Sequence, residues 1–332
     1  MTYKVLCLSV KSDGNPSQEA IQLLSRMTLL HNAPTLFLSF LFEAIPFLLL
    51  GIAVSSLLLV LGEQRSLSSF CPRNPFLAAF LGSCLGLVLP VCKYGNIPVV
   101  RRLLAQGVSA PLAIGFFLGA PTINPFALYS TWVAFQAQPQ IVTLRAVFTI
   151  VIATLVGYIF KANLGAIDTK EYSSPLLRSA TFNLGEEVPI VDEPKKFLIN
   201  KFELFIDNFI KELRELGTIL VLGCAIAALI QVSVPRLALI NFAQGSFTSL
   251  LSMLALSTIV STGSAVNAFF VDFFSSSFSN GSMLFFLLFG SIFDIKILGF
   301  TFAVFRFKPA VYLMIIPGLL TLLVTLFMNL HI

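Results

Sequence analysis

Apolar runs alternate with short polar or proline-rich stretches along this chain, at about 36–61, 76–91, 110–135, 141–160, 217–234, 247–262, 281–304 and 309–328. About 20 apolar residues in a helix cover the ~30 Å of a bilayer's hydrocarbon core. The pattern predicts an all-α polytopic membrane protein with about eight hydrophobic segments. Two further pieces carry a helical stripe instead. Residues 17 to 31 place Ile21, Leu24 and Thr28 on one side, and residues 201 to 216 repeat Phe202, Phe205, Phe209, Leu213 and Leu216 at helical spacing. Both read as interfacial helices that lead into a span. Residues 161 to 200 are rich in charge and read as a flexible linker. The expected organisation is a cytoplasmic N-terminal segment over 1–35 and a first membrane repeat over 36–160. The linker over 161–200 follows, and then an interfacial helix with a second membrane repeat over 201–332.

Some of the apolar runs are interrupted. Residues 89 to 131 carry Pro90, Pro98, Pro111, Pro121 and Pro125, with Gly95, Gly107, Gly115 and Gly119 among them. Proline removes a backbone N–H and leaves a carbonyl without its helical partner. In hydrocarbon such backbone persists only where it is buried in protein or lines a wet cavity. The halves echo each other. Asn124, in GAPTINP, follows Cys92 by 32 residues, and Asp294, in FGSIFDIK, follows Gly263 by 31. Two pseudo-repeats of four segments, each with a broken or re-entrant helix, are therefore expected. Paired breaks of this kind point to a transporter site at the repeat interface.

Composition narrows the classes. AVILMFWYC make up 57% of the 332 residues, only 11% are charged, and mean hydropathy is +0.91. Soluble domains carry about 25% charged residues. The net charge of +5 suits an anionic lipid surface, and no basic stripe with interleaved aromatics exists for nucleic acid. Positive charge favours a cytoplasmic N-terminus, and the location expected is the cell (inner) membrane. The five cysteines are scattered with no CxxC, so no disulfide framework follows. GxxxxGK[ST], HExxH and GxSxG are all missing from the sequence. P-loop hydrolysis, a metalloprotease and a serine hydrolase therefore have no motif to rest on, and no metal or cofactor is expected.

The candidate site residues follow from the breaks. Cys92, after a proline, reads either as a substrate-facing thiol or as a small packing residue. Asn124, between Pro121 and Pro125, offers an intramembrane amide where the backbone opens. Asn96 and Asn267 occupy matching places in the two halves, as substrate ligands or as helix caps. Asp294 and Lys296 are charges in an apolar span, functional by default, and are the first candidates for ion coupling. Glu43, the acid of the first span, is a second coupling candidate or an interfacial residue. Lys93, Arg101 and Arg102 are expected at lipid phosphates, and Arg145 is expected to snorkel to the interface.

These residues resemble a bacterial family of predicted permeases that includes the organoarsenical efflux permeases. The resemblance rests on LPVCKYGNIPVVRRLLAQG, GAPTINP, STGSAVNAFF and FGSIFDIK, and covers about residues 30 to 330. Many relatives have Cys-Ser-Cys where this chain has Cys92-Lys93-Tyr94, and the second-half cysteine is Gly263 here. Soft trivalent arsenic prefers several thiolates, so the resemblance implies a permease and not a particular substrate. It also implies a second small membrane protein as a possible subunit. The function expected is secondary-active export of a small solute. The alternatives are a non-catalytic subunit that scaffolds a partner and a thiol-based membrane enzyme centred on Cys92.

Overall fold

The computed structural model describes residues 18–61, 71–89, 91–163, 194–233, 246–260, 263–275, 278–304 and 307–331. Among them lie twelve helices: α1 Gln18–Leu61, α2 Pro75–Val88, α3 Lys93–Ala105, α4 Ala110–Ile123, α5 Pro125–Ala134, α6 Gln140–Asn163, α7 Pro194–Ser233, α8 Ser246–Ile259, α9 Val266–Asp272, α10 Asn280–Ile292, α11 Ile295–Val304 and α12 Phe307–His331. The described residues contain no strand.

Five stretches are long and apolar enough to cross a membrane: Asn32–Val60, Ala110–Ala134, Gln140–Lys161, Lys201–Ser233 and Lys308–Asn329. A sixth is the bent pair Asn280–Ile292 and Ile295–Phe302, which turns by 40°. The protein is thus a multi-pass membrane protein. The other two expected segments are α2 and α8, of 14 residues each. At 1.5 Å per residue they reach only about 21 Å, short of the hydrocarbon thickness.

The two interfacial helices are not separate elements. α1 runs unbroken for 44 residues despite Pro34 and Pro46, and α7 for 40. An amphipathic stretch and an apolar span share one helical period, so nothing obliges the chain to stop between them. The side chains of residues 18–31 lie outside the described residues, as does most of the expected linker.

Packing depends on close backbone approach. Gly82 and Gly86 on α2 face Gly115 and Gly119 on α4. A Cβ at Gly82 would fall on the Leu112 carbonyl, and one at Gly115 on that of Ala79. Each helix thus presents a small-xxx-small face, the usual means of close helix association in lipid. Gly51 of α1 and Gly95 of α3 meet in the same way. The contacts that join the halves include α1 with α7, α3 with α7 and α11, α5 with α9, α10 with α4 and α6, and α12 with α6.

Candidate functional site

Both expected breaks exist, and each starts a new helix with a capping side chain. α4 ends at Ile123, Asn124 is extended (φ −63°, ψ 153°), and α5 begins at Pro125. The Asn124 Oδ1 accepts the Ala127 N–H at 2.7 Å. α10 ends at Ile292, Phe293 is extended (φ −123°, ψ 134°), and α11 begins at Ile295. The Asp294 Oδ1 accepts the Ile297 N–H at 2.8 Å. Short acceptors at such a position satisfy N–H groups that a helix start leaves free.

Asp294 does more with its second oxygen. Its Oδ2 lies 2.6 Å from the Lys93 Nζ and accepts the Tyr94 hydroxyl at 3.0 Å. All three side chains are buried. Lys93 also donates to the Gly290 carbonyl at 3.5 Å, at the C-terminal end of α10. Lys296 is buried beside the pair, with its Nζ over the rings of Phe40 and Tyr94. Half-buried Glu43 accepts the Gly263 N–H, so the acid of α1 touches the second-half break. Cys92 caps the start of α3 with its backbone, and its carbonyl accepts the Asn96 N–H at 2.9 Å.

Arg145 forms the adjoining centre. It is fully buried (0% exposed), which corrects the expectation that it reaches the interface. Its Nε donates to the Thr122 carbonyl at 3.1 Å, and its guanidinium nitrogens donate to Thr131 Oγ1 at 2.6 Å and Ser291 Oγ at 2.9 Å. A further bond reaches the Ser264 carbonyl at 3.3 Å. α4 and α10 both end here, and helix C-termini carry partial negative charge that favours a cation. Among the described residues none of the ion pairs includes Arg145. The guanidinium therefore ties the first break to Ser264 and Ser291 of the second half.

The amides divide. Asn96 is buried, and its Nδ2 donates to the Phe117 carbonyl at 2.7 Å. That carbonyl is the one Pro121 deprives of a helical N–H. The Asn96 Oδ1 is buried without a hydrogen-bond partner. Asn267 is buried too; its N–H donates to the Gly263 carbonyl at 2.9 Å, and its side chain lies against Gly290. Asn96 and Asn267 thus sit alike, each with its N–H on the residue four before it. Glu43, Cys92, Asp294 and Lys296 lie near one another, and Asn267 and Glu43 both bond to Gly263. Asn96 reaches the Phe117 carbonyl, and Asn124 caps the helix that follows Pro121 and its break.

The lipid-phosphate expectation for the basic helix is also corrected. Lys93, Arg101 and Arg102 all turn inward. Arg101 pairs with Glu215 at 3.0 Å and Arg102 with Glu212 at 2.9 Å. Arg102 also donates to Asn208 at 2.7 Å, whose Nδ2 donates to Ser56, while Ser55 donates to Glu212. Charges inside a membrane protein pair with one another or with backbone carbonyls. Sequence reading missed Tyr94, Arg145 and Cys224, the last buried in α7 among Lys296, Asp294 and Glu43. Among the described residues no three metal-ligating side chains converge. A surface depression lined by Gln140, Leu144, Asn280 and Met328 shares no residue with this site.

Comparison with known proteins agrees with the geometry. The profile of a family described as predicted permease matches residues 29–330. The UPF0718 protein YcgR of Bacillus subtilis is 33% identical over 291 residues, which is 85% of this chain and 91% of that one. A Streptococcus mutans protein, named as a two-component membrane permease complex subunit, is 30% identical over 261 residues, 79% of this chain and 83% of its own. No solved structure matches significantly. With residues 29–330 matched and a relative 33% identical over most of both chains, the chain belongs to the predicted permease family, as a multi-pass membrane permease.

Proposed function

We propose that this permease is a secondary-active transporter that exports a small solute by alternating access, with its site where the two breaks meet. The carrying observation is the Lys93–Asp294 pair, a buried charge pair joining α3 of the first half to the start of α11 in the second. Intramembrane charges at broken helices are the usual marks of a coupled pathway. In this reading Asp294, Lys296 and Glu43 carry the coupling ion, and Cys92, Asn96, Asn124 and Asn267 line the path, with Pro121 opening the backbone. The halves are pseudo-repeats. In support, helix lengths run 44, 14, 13, 14, 10 and 24 residues, then 40, 14, 7, 13, 10 and 25. The cross-contacts also exchange: α3 lies on α11, and α9 on α5.

The test is flux in proteoliposomes holding this chain alone, with and without an imposed pH gradient. Asp294→Asn is expected to leave the protein foldable, because an amide keeps the cap, and to abolish gradient-driven accumulation. Unchanged coupling in that variant would remove Asp294 from the role. A second reading is favoured by the name of the Streptococcus mutans relative, which places that protein in a two-component complex. Here the chain would be a subunit that scaffolds a membrane partner. Flux that is silent for the chain alone and restored by a co-expressed neighbour would favour it.

A further inference from the structure

Lys296 is fully buried, yet its surroundings are shaped for an ammonium group. Its Nζ lies 4.1 Å from the ring centroid of Phe40 and 5.3 Å from that of Tyr94. Phe300 leans on Tyr94 with centroids 6.3 Å apart, which limits that ring's freedom. Two carboxylates face the site, Asp294 and Glu43, and the remaining charged or titratable neighbours are Lys93 on α3 and Cys224 on α7. The Tyr94 hydroxyl is committed to Asp294. Aromatic faces beside a carboxylate, away from water, recognise ammonium and quaternary ammonium groups.

We propose that this box is a binding site for a small organic cation, and that the Lys296 ammonium occupies it as a built-in stand-in when no cation is bound. The proposal rests on the permease reading and names its substrate class. Charge balance gives it a mechanism. Lys93 and Lys296 offset Asp294 and Glu43, so the box is formally neutral as it stands. A second cation beside a charged Lys296 would leave a surplus buried charge, which lipid penalises heavily. If the Lys296 ammonium releases its proton to solvent, the incoming cation takes over its place at the rings and carboxylates. The charge count is then unchanged: one cation enters and one proton leaves. When the cation departs, the amine recovers a proton and refills the box. An anion fits worse, because the rings present their negative faces to the site. The nearby Arg145 already spends its guanidinium on carbonyl and hydroxyl oxygens.

The experiment uses the full chain in nanodiscs in weak buffer, titrated with tetramethylammonium chloride. Sodium chloride and sodium acetate at equal ionic strength serve as controls. Saturable tetramethylammonium binding with about one proton released per cation is expected from the exchange. Lys296→Met removes the competitor, so it should bind tighter, by roughly tenfold, without proton release. Phe40→Leu should bind weaker by roughly tenfold. Acetate binding without tetramethylammonium binding would reverse the assigned sign. No cation binding to wild type or to Lys296→Met would leave Lys296 a structural group. Wild-type proton release needs no variant, so a misfolded mutant cannot hide the answer. Gradient-driven flux of a neutral solute without cation binding would sink the substrate class and leave the permease reading standing. Cation binding without flux would do the reverse.

Discussion

A proline removes one N–H, and the carbonyl four residues back loses its partner. In α4 that proline is Pro121 and the carbonyl is that of Phe117, which the Asn96 Nδ2 reaches from α3. The pair makes a clean cycle. Asn96→Ala should destabilise the protein by about 1–3 kcal/mol, since a buried carbonyl is left bare. Pro121→Ala supplies a local N–H for the same carbonyl, so in that background Asn96→Ala should cost roughly 1–2 kcal/mol less. Thermal unfolding of the four proteins in detergent measures the coupling, and strict additivity would separate the two residues. Arg145 is the larger case. Arg145→Met strands the Thr122 and Ser264 carbonyls, while the Thr131 and Ser291 hydroxyls keep their bonds to the Ala127 and Leu287 carbonyls. A loss of several kcal/mol, at about 1–3 for each buried group, should show as a collapse in folded yield by size-exclusion chromatography. Arg145→Lys keeps the charge but has fewer donors and no planar fork, so it should recover only part of the yield.

At the scale of elements, α2 and α4 meet through glycines with backbone against backbone. Gly115→Val puts two methyl groups where the Ala79 carbonyl lies, and nothing flexible is there to give way. Separation of α2 from α4 is expected, read as loss of a monodisperse peak, while Gly107→Ala in the open turn after α3 should cost about 1 kcal/mol for its positive φ of 78°. The elements differ in how far the sequence announced them. The break at Asn124 was legible because the residue before Pro125 is pushed out of the helical region, although Pro34 and Pro46 leave α1 unbroken. The break at Phe293 has no proline, and only the stray charge of Asp294 marked it. The long α1 and α7 were not legible as single helices, because an amphipathic lead and an apolar span share one period. Nor were the fates of the cations. Tyr94 and Asp294 lie 200 residues apart, Arg145 and Ser291 146, and Arg102 and Glu212 110. A local reading sees a basic run and sends it to the membrane surface; only tertiary packing supplies the buried acids.

Across the whole molecule, the pairs Lys93–Asp294, Arg101–Glu215 and Arg102–Glu212 each start on α3 and end in the second half, on α7 or at the head of α11. α3 lies between α2 and α4 of the first half, so the charges fasten one half to the other. A buried pair is weak evidence for stability, because two charges taken out of water forfeit much of what they gain. Such a pair can instead specify one arrangement and penalise others, a property that the alternating-access proposal would use. The two roles can be separated at Arg102–Glu212. Arg102→Met alone leaves Glu212 buried without its cation and should cost about 3–5 kcal/mol. Arg102→Met with Glu212→Leu should return near wild-type thermal stability, because a well-packed apolar pair is often neutral or better. If the clasp sets the balance between the two access states, that double variant will unfold like wild type yet transport more slowly or leak its gradient. Wild-type flux with wild-type coupling in the double variant would reduce α3 to a structural brace, because a stable protein that never needed the charges has no use for them in its cycle.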